Sequence, residues 1–342
     1  MHFGVMDHLD DSGGPLAEQY EQRLRLVEEL DRLGFYSYHV AEHHGTPLGL
    51  APSPSVYLSA VAQRTSRLRF GPLVYVAPLY HPMRLAEEIC MLDQMSRGRL
   101  QLGLGRGAVW PEQEIYDVDP ASTAERYAEA RDIVLQALGA ETVNFEGKYY
   151  RVRNFRMVLR PWQTPRPPLW YGISHADSTP WAAANSTNVV SLMPAAAARG
   201  ILDRYRAEWA ALGRNDSELP FLGLARHMVV ADTDHKAREV ARGAFRRWRR
   251  SFSAIWERRG VPLPINFPLE WDTLEQAGHG IAGTPETVRA FLDAQRATAR
   301  ANFFLCQLIF GDIAYEDALR SLTLFAREVA PALAASGAQR SN

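Results

Sequence analysis

The sequence predicts an α/β fold, a (β/α)8 TIM barrel with insertions, on three observations. Short apolar runs alternate with amphipathic segments of helical period through nearly the whole chain. Eight such strand–helix units fit within 342 residues, an ordinary length for a barrel carrying insertions. Polar and glycine-rich motifs directly follow several apolar runs, and strand ends are where parallel α/β proteins build their sites. A doubly wound open sheet shares the alternation, and periodicity alone does not separate the two.

Strands are expected at His2–Met6, Ser37–Val40, Leu68–Val76, Leu100–Leu104, Leu169–Gly172, Val189–Leu192, Phe221–Val230 and Phe303–Ile309. Parallel neighbours need crossover helices, and amphipathic segments supply them near 17–32, 54–64, 82–95, 123–138, 178–185, 196–212, 234–252, 285–295 and 315–330. Two insertions interrupt the pattern. Thr142–Arg151 alternates about Glu146-Gly147 and reads as a small hairpin. Residues 255–282, rich in Pro and Gly but carrying Trp256, Phe267 and Trp271, read as a long mobile lid. The lid ends where Thr284 caps a helix, Pro285 takes its first position and Glu286 favours its dipole. One domain is therefore expected over residues 1–335, with a disordered tail at 336–342.

Composition narrows the function classes. A net charge of −1 argues against bulk attraction to nucleic acid or to an anionic membrane. Cys90 and Cys306 are the only cysteines, too few for a disulfide framework or a thiolate metal cluster. The start MHFGVMDHLDD lacks the pattern of a signal peptide, and no apolar run approaches ~18 residues, so a cytoplasmic protein is expected. Lys148 and Lys236 are the only lysines, leaving 36 of 38 cationic side chains as arginine, which lowers the weight of any single Arg. The run RGAFRRWRR at 242–250 accordingly reads as a solvated helix face, with Phe245, Trp248 and Phe252 turned inward.

Three motifs carry candidate chemistry. Glu42-His43-His44 follows the second strand; adjacent residues of an extended chain point apart, which disfavours a shared metal ion. A histidine handling protons at the barrel mouth and a merely packed or capping histidine both stay open. Arg106 lies in LGLGRGA, where glycines permit close backbone approach and arginine offers a bidentate fork to an anion. A glycine-eased strand end explains the same residues, and the partial G-x-G-x-x-A match is weak because Trp110-Pro111 follows at once. Ser174–Thr179 opens a helix after LWYG and suits either a phosphate or ordinary capping.

AEHH at 41–44, APSPSVYLSAVAQRTSRLRFG at 51–71, the 81–107 stretch, YGISHADSTPWAA at 171–183 and GTPETV at 283–288 occur in order along the chain. Together they resemble the bacterial luciferase-like family of flavin-dependent monooxygenases. The resemblance implies a barrel that binds FMN at the C-terminal ends of its strands, as a homodimer. Carried over by position, His43 matches the active-site histidine and Arg106 the phosphate-binding arginine. His175, through its backbone N–H, and Ser178 match the second phosphate-binding turn. Leu73-Val74 falls where the family often has a non-proline cis peptide against the flavin ring. Gly105 stands at a cofactor position that is cysteine in the light-emitting α subunit, and Ser174 where that subunit is acidic; the first departure argues against light emission.

The resemblance further implies reduced FMN delivered by a separate flavin reductase, O2, and oxygenation of a small organic substrate through a flavin C4a-hydroperoxide, with no metal. Met6, Trp110 and the lid aromatics are candidates for an apolar wall, and Asp7 and His8 for polarity at the mouth. A deazaflavin-dependent hydride transferase, a non-catalytic flavin-binding partner subunit and a metal-dependent barrel hydrolase remain as alternatives.

Overall fold

The structure, a computed structural model, describes residues 1–339. Among the described residues twelve strands form: β1 (His2–Asp7), β2 (Ser37–Val40), β3 (Arg69–Pro72), β4 (Tyr75–Val76), β5 (Leu102–Gly105), β6 (Thr142–Glu146), β7 (Arg151–Arg156), β8 (Leu169–Gly172), β9 (Asn188–Ser191), β10 (Leu222–Val230), β11 (Gly280–Gly283) and β12 (Phe303–Gln307). Every pairing in the large sheet is parallel, in the order β3-β2-β1-β12-β10-β9-β8-β5-β4. Phe70 then joins the two ends, its N–H donating to the Arg99 carbonyl at 3.1 Å while its carbonyl accepts from Gln101 N–H at 2.8 Å. The ring is thereby a nearly closed barrel, and the open doubly wound sheet is set aside.

The closure explains two glycines. A Cβ on Gly71 would fall 1.8 Å from the Gln101 carbonyl oxygen, and one on Gly103 2.2 Å from that of Pro72. Bare backbone is what lets β3 and β5 meet. Inside the barrel, Phe303, Trp170, Phe221 and Tyr36 fill the lower layers, and Trp170 Nε1 donates to Gln101 Oε1 at 2.8 Å. Met6, Leu73, Val190, Ala225 and Leu305 lie in the same inner cluster, so the barrel is a packed core with a cavity at its upper end.

Twelve helices surround it among the described residues: α1 (Leu16–Leu33), α2 (Pro54–Arg64), α3 (Pro82–Ser96), α4 (Trp110–Ile115), α5 (Thr123–Gly139), α6 (Thr179–Ala184), α7 (Ala195–Ala211), α8 (Asp234–Arg258), α9 (Trp271–Gln276), α10 (Pro285–Ala299), α11 (Tyr315–Leu324) and α12 (Ala330–Gln339). Their ends follow the sequence: α1 stops at Gly34, whose φ of 80° is left-handed, and Thr284 Oγ1 caps α10 by accepting from Thr287 N–H. The hairpin also forms, as β6 and β7 pair antiparallel.

Four expectations need correction. The run 68–76 is two strands rather than one, interrupted at a cis Leu73–Val74 peptide. Residues 255–282 are not a structureless excursion. Ile255 and Trp256 are buried and carry α8 on to Arg258, α9 forms within the segment, and β11 pairs with β10 from His227↔Gly280 to Val230↔Gly283. The last helix is divided, a π-helical turn at Phe325–Val329 separating α11 from α12. Of the tail expected at 336–342, residues 336–339 belong to α12 and 340–342 lie outside the described residues. On α8, Phe245 and Trp248 are buried while Arg242 pairs with Asp272 and Arg247 with Asp11, the solvated face its pattern predicts. No described helix is long and apolar enough to cross a membrane.

Candidate active site

Alternation along each strand decides which side chains reach the mouth. On β1 the inward residues are Gly4 and Met6, and the next on that face is His8. Asp7, one residue out of phase, is fully buried behind the sheet, accepting from Tyr38 Oη at 2.8 Å and pairing with Arg23 Nε at 3.2 Å. The expectation that Asp7 adds polarity to the mouth is therefore wrong, whereas His8 does reach it. The same parity divides the Glu-His-His motif. Glu42 and His44 bond to each other at 2.9 Å, Glu42 also accepts from Val76 N–H at 3.0 Å, and Tyr116 Oη meets His44 Nδ1 at 2.8 Å. These two hold the loop; His43 turns the other way, its ring against that of His8, and is not itself among the residues lining the cavity. No group of residues suited to a metal ion exists among the described residues.

A cavity of about 290 Å³ opens at the C-terminal strand ends, close to the lower limit of ordinary ligand sites. A larger hollow, about 460 Å³, lies at the opposite end beside Asp31 and Arg67. Asp31 there already accepts from the backbone N–H groups of Ser66, Arg67 and Leu68, so its polar groups are spent on structure. The upper cavity is the candidate site because barrel strands present their variable side chains there.

One edge of this cavity is cationic. Arg106, directly after β5, is exposed, and its guanidinium has no partner among the described residues. Leu73, Val74 and Gly105 line the adjoining wall, and a Cβ on Gly105 would fall 2.3 Å from Val74 Cγ2. After β8, Gly172 and Ser174 line the cavity, and a Cβ on Gly172 would meet nothing within 4 Å, so it borders open space. His175 and Ser178 are on the following turn, where Ser178 N–H donates to the His175 carbonyl at 3.4 Å. They sit on the rim, outside the cavity lining.

The opposite edge is more enclosed. His43 Nδ1 bonds to Glu112 Oε1 at 2.9 Å, and the His43 side chain is 17 % exposed. Its ring stacks on His8 at 5.8 Å between centroids. His8 Nδ1 accepts a long 3.4 Å hydrogen bond from Trp248 Nε1. Part of the His8 ring faces the cavity, yet protein surrounds the rest, and burial, helped by His43 and His227, pushes its pKa well below the ordinary value. His227, packed edge-on against Trp248 and Phe310, is pushed down to about 3 by burial and by His279. Gln307 is buried at the cavity wall, and its Oε1 has no partner.

Of the expected apolar wall, only Met6 lines the cavity. Trp110 packs edge-on against Trp256 at 5.8 Å, while Phe267 and Trp271 pack against Phe245 on α8. Glu112 is what sequence reasoning missed: it lies 69 residues from His43, with no local signal linking them.

Residues 1–304 match the model of the luciferase-like monooxygenases. The chain belongs to that family. Similar proteins to this luciferase-like monooxygenase include the uncharacterized protein y4wF of Sinorhizobium fredii, 42% identical over 93% of each chain. The oxygenase component of the flavin-dependent trigonelline monooxygenase of Acinetobacter baylyi is 28% identical, the match covering 70% of this chain and 68% of that one. Monooxygenase RslO1 from Streptomyces bottropensis has the same fold, with a TM-score of 0.87 at 26% identity over 97% of this chain and 100% of that one.

Proposed function

We propose that this luciferase-like monooxygenase is the oxygenase component of a two-component system, using reduced FMN from a separate flavin reductase to oxygenate a small organic substrate. The observation that carries the reading is a barrel-mouth cavity with an unpaired guanidinium on one edge and, on the other, His8 backed by His43, which a carboxylate holds.

The residues fit a planar ring with an anionic tail. Gly172 borders free space, Leu73 and Val74 offer an apolar surface, and Arg106 has no internal anion to satisfy it. Arg106, the His175 backbone N–H and Ser178 would hold the phosphate, with Leu73, Val74 and Gly105 against the ring. Bound reduced FMN would supply the electrons for O2 activation. Glu112 fixes His43 through Nδ1, which leaves Nε2 to give or take a proton at the mouth. The walls of Met6, Val190 and Leu305 exclude water around the reacting groups. With this reading go a homodimer and a cytoplasmic location.

The test is titration of the purified chain with FMN and with a deazaflavin, then rapid mixing of the reduced complex with O2 under absorbance detection. Tight FMN binding and an oxygen-dependent transient distinct from free oxidised FMN are expected. Preference for the deazaflavin, or no reaction with O2 beyond that of free reduced FMN, would overturn the proposal.

A further inference from the structure

We propose that Met6 is an oxidation site built into the barrel mouth: its thioether takes one oxygen atom from hydrogen peroxide formed there, and His8 holds the resulting sulfoxide. The source of the peroxide rests on the monooxygenase reading above; the site itself does not.

Placement singles out this methionine. Met83, Met157 and Met228 are buried in the outer core, while Met91 and Met95 are exposed on α3. Met1 borders the hollow at the opposite end of the barrel, and Met193, on the loop after β9, is outside the cavity lining. Met6 lines the mouth cavity, is partly exposed to it, and carries the only sulfur atom in that lining among the described residues. The strand period that turns Met6 inward brings His8 to the same face, one position nearer the opening.

His8 supplies a donor. An indole N–H only donates, so the contact from Trp248 Nε1 makes His8 Nδ1 an acceptor and leaves the ring proton on Nε2. Among the described residues His8 Nε2 has no protein partner, and the ring lines the cavity. A thioether is a weak acceptor, whereas a sulfoxide is polar and carries an oxygen. Oxidation of Met6 thus creates an acceptor beside an unused donor.

The chemistry balances with peroxide as the oxidant. When O2 is reduced at the mouth with no substrate to oxygenate, two electrons and two protons turn it into hydrogen peroxide. The Met6 sulfur lone pair attacks one peroxide oxygen, forming the S–O bond and breaking the O–O bond. Sulfur is oxidised by two electrons; the departing hydroxide takes the proton of the transferred OH and leaves as water. The product puts a polar oxygen into a wall otherwise made of Val190, Ala225 and Leu305, so idling without substrate makes the mouth less apolar.

Peptide mass spectrometry after two treatments tests this, with fragment ions separating Met6 from Met1. In the first, FMN-free protein meets added hydrogen peroxide. Met91 and Met95 are expected to gain oxygen first, Met6 next, and Met83, Met157 and Met228 about tenfold more slowly than Met6. In the second, the FMN complex is reduced with dithionite under argon and opened to air with catalase present, over several cycles. Catalase clears peroxide from bulk solution, so Met6 should now gain oxygen about tenfold faster than Met91 and Met95. In protein labelled with 15N-histidine, oxidation should shift one imidazole resonance that His8→Phe lacks and that stays in place in Met6→Leu. Met6 as inert as Met228 toward added peroxide, Met6 spared under catalase while FMN is bound, or imidazole resonances unmoved by oxidation would overturn the proposal. If FMN fails to bind, the flavin reading falls, while the added-peroxide series and the imidazole shift still judge Met6.

Discussion

At the β5–β8 edge of the mouth Arg106 is exposed and unpaired, whereas at the β1–β12 edge His8 is enclosed and Gln307 buried. A guanidinium in contact with water keeps its charge at little cost and can wait for an anion. His227, enclosed by Trp248, Phe245 and Phe310, and His8, set between Trp248 and His43, would lose hydration on protonation, and burial holds the pKa of both below the ordinary value. One edge is thus suited to an anion and the other to an uncharged group.

The largest test of this division is removal of the proton-handling group. His43→Ala is expected to lower oxygenation by about 10²–10⁴-fold while leaving FMN affinity unchanged. Parallel turnover and FMN-binding assays check this, and unaltered turnover would remove His43 from the reaction. Glu112→Gln should give a smaller loss and a displaced pH–rate profile, since it orients the ring through Nδ1.

Stability against pH separates the edges next. His227 stays unprotonated in the folded chain down to about pH 3, while in the unfolded chain it takes up a proton below about pH 6.5. The unfolded state therefore binds more protons below 6.5, and stability falls with pH by up to about 1.4 kcal/mol per unit for this ring. Urea unfolding of His227→Phe should show a shallower decline between about pH 6.5 and 4.5. Arg106→Ala should leave the slope unaltered. Parallel curves for His227→Phe and the parent would refute the neutral edge.

Arg106→Ala is expected to weaken FMN binding by about 1.5–3 kcal/mol, the scale of a charge-assisted hydrogen bond, as fluorescence titration would read. Ser178→Ala should cost only about 0.5–1.5 kcal/mol, because a neutral hydroxyl on an exposed turn contributes less. A larger loss for Ser178 than for Arg106 would reverse the assignment of the phosphate edge.

Much of the barrel was legible because strand and crossover patterns are local. β2, β8 and α2 fall at the expected residues, and Thr284 caps α10 as its tetrapeptide implies. What escaped is non-local. The break at Leu73–Val74 lies inside a continuous apolar run, so no periodicity marks it. The Pro- and Gly-rich 255–282 segment concealed β11, whose pairing with β10 depends on a strand fifty residues earlier. Asp7 and His8 were read together as mouth residues, yet the two-residue strand period sends them to opposite faces. Glu112 and Trp248 reach His43 and His8 only once the chain has closed. The His8 position was within reach by extending the alternation of β1 past Met6, and Gln307 as the polar residue within the otherwise apolar run FFLCQLI at 303–309.

On the proposed function, Arg106 grips a flavin at the mouth by its phosphate. Binding of FMN and of riboflavin, compared in the parent chain and in Arg106→Ala, tests it most directly. FMN is expected to bind the parent about tenfold or more tighter than riboflavin, and this preference to collapse in the variant. Equal affinities for the two flavins in the parent, or an undiminished preference for FMN in Arg106→Ala, would contradict it.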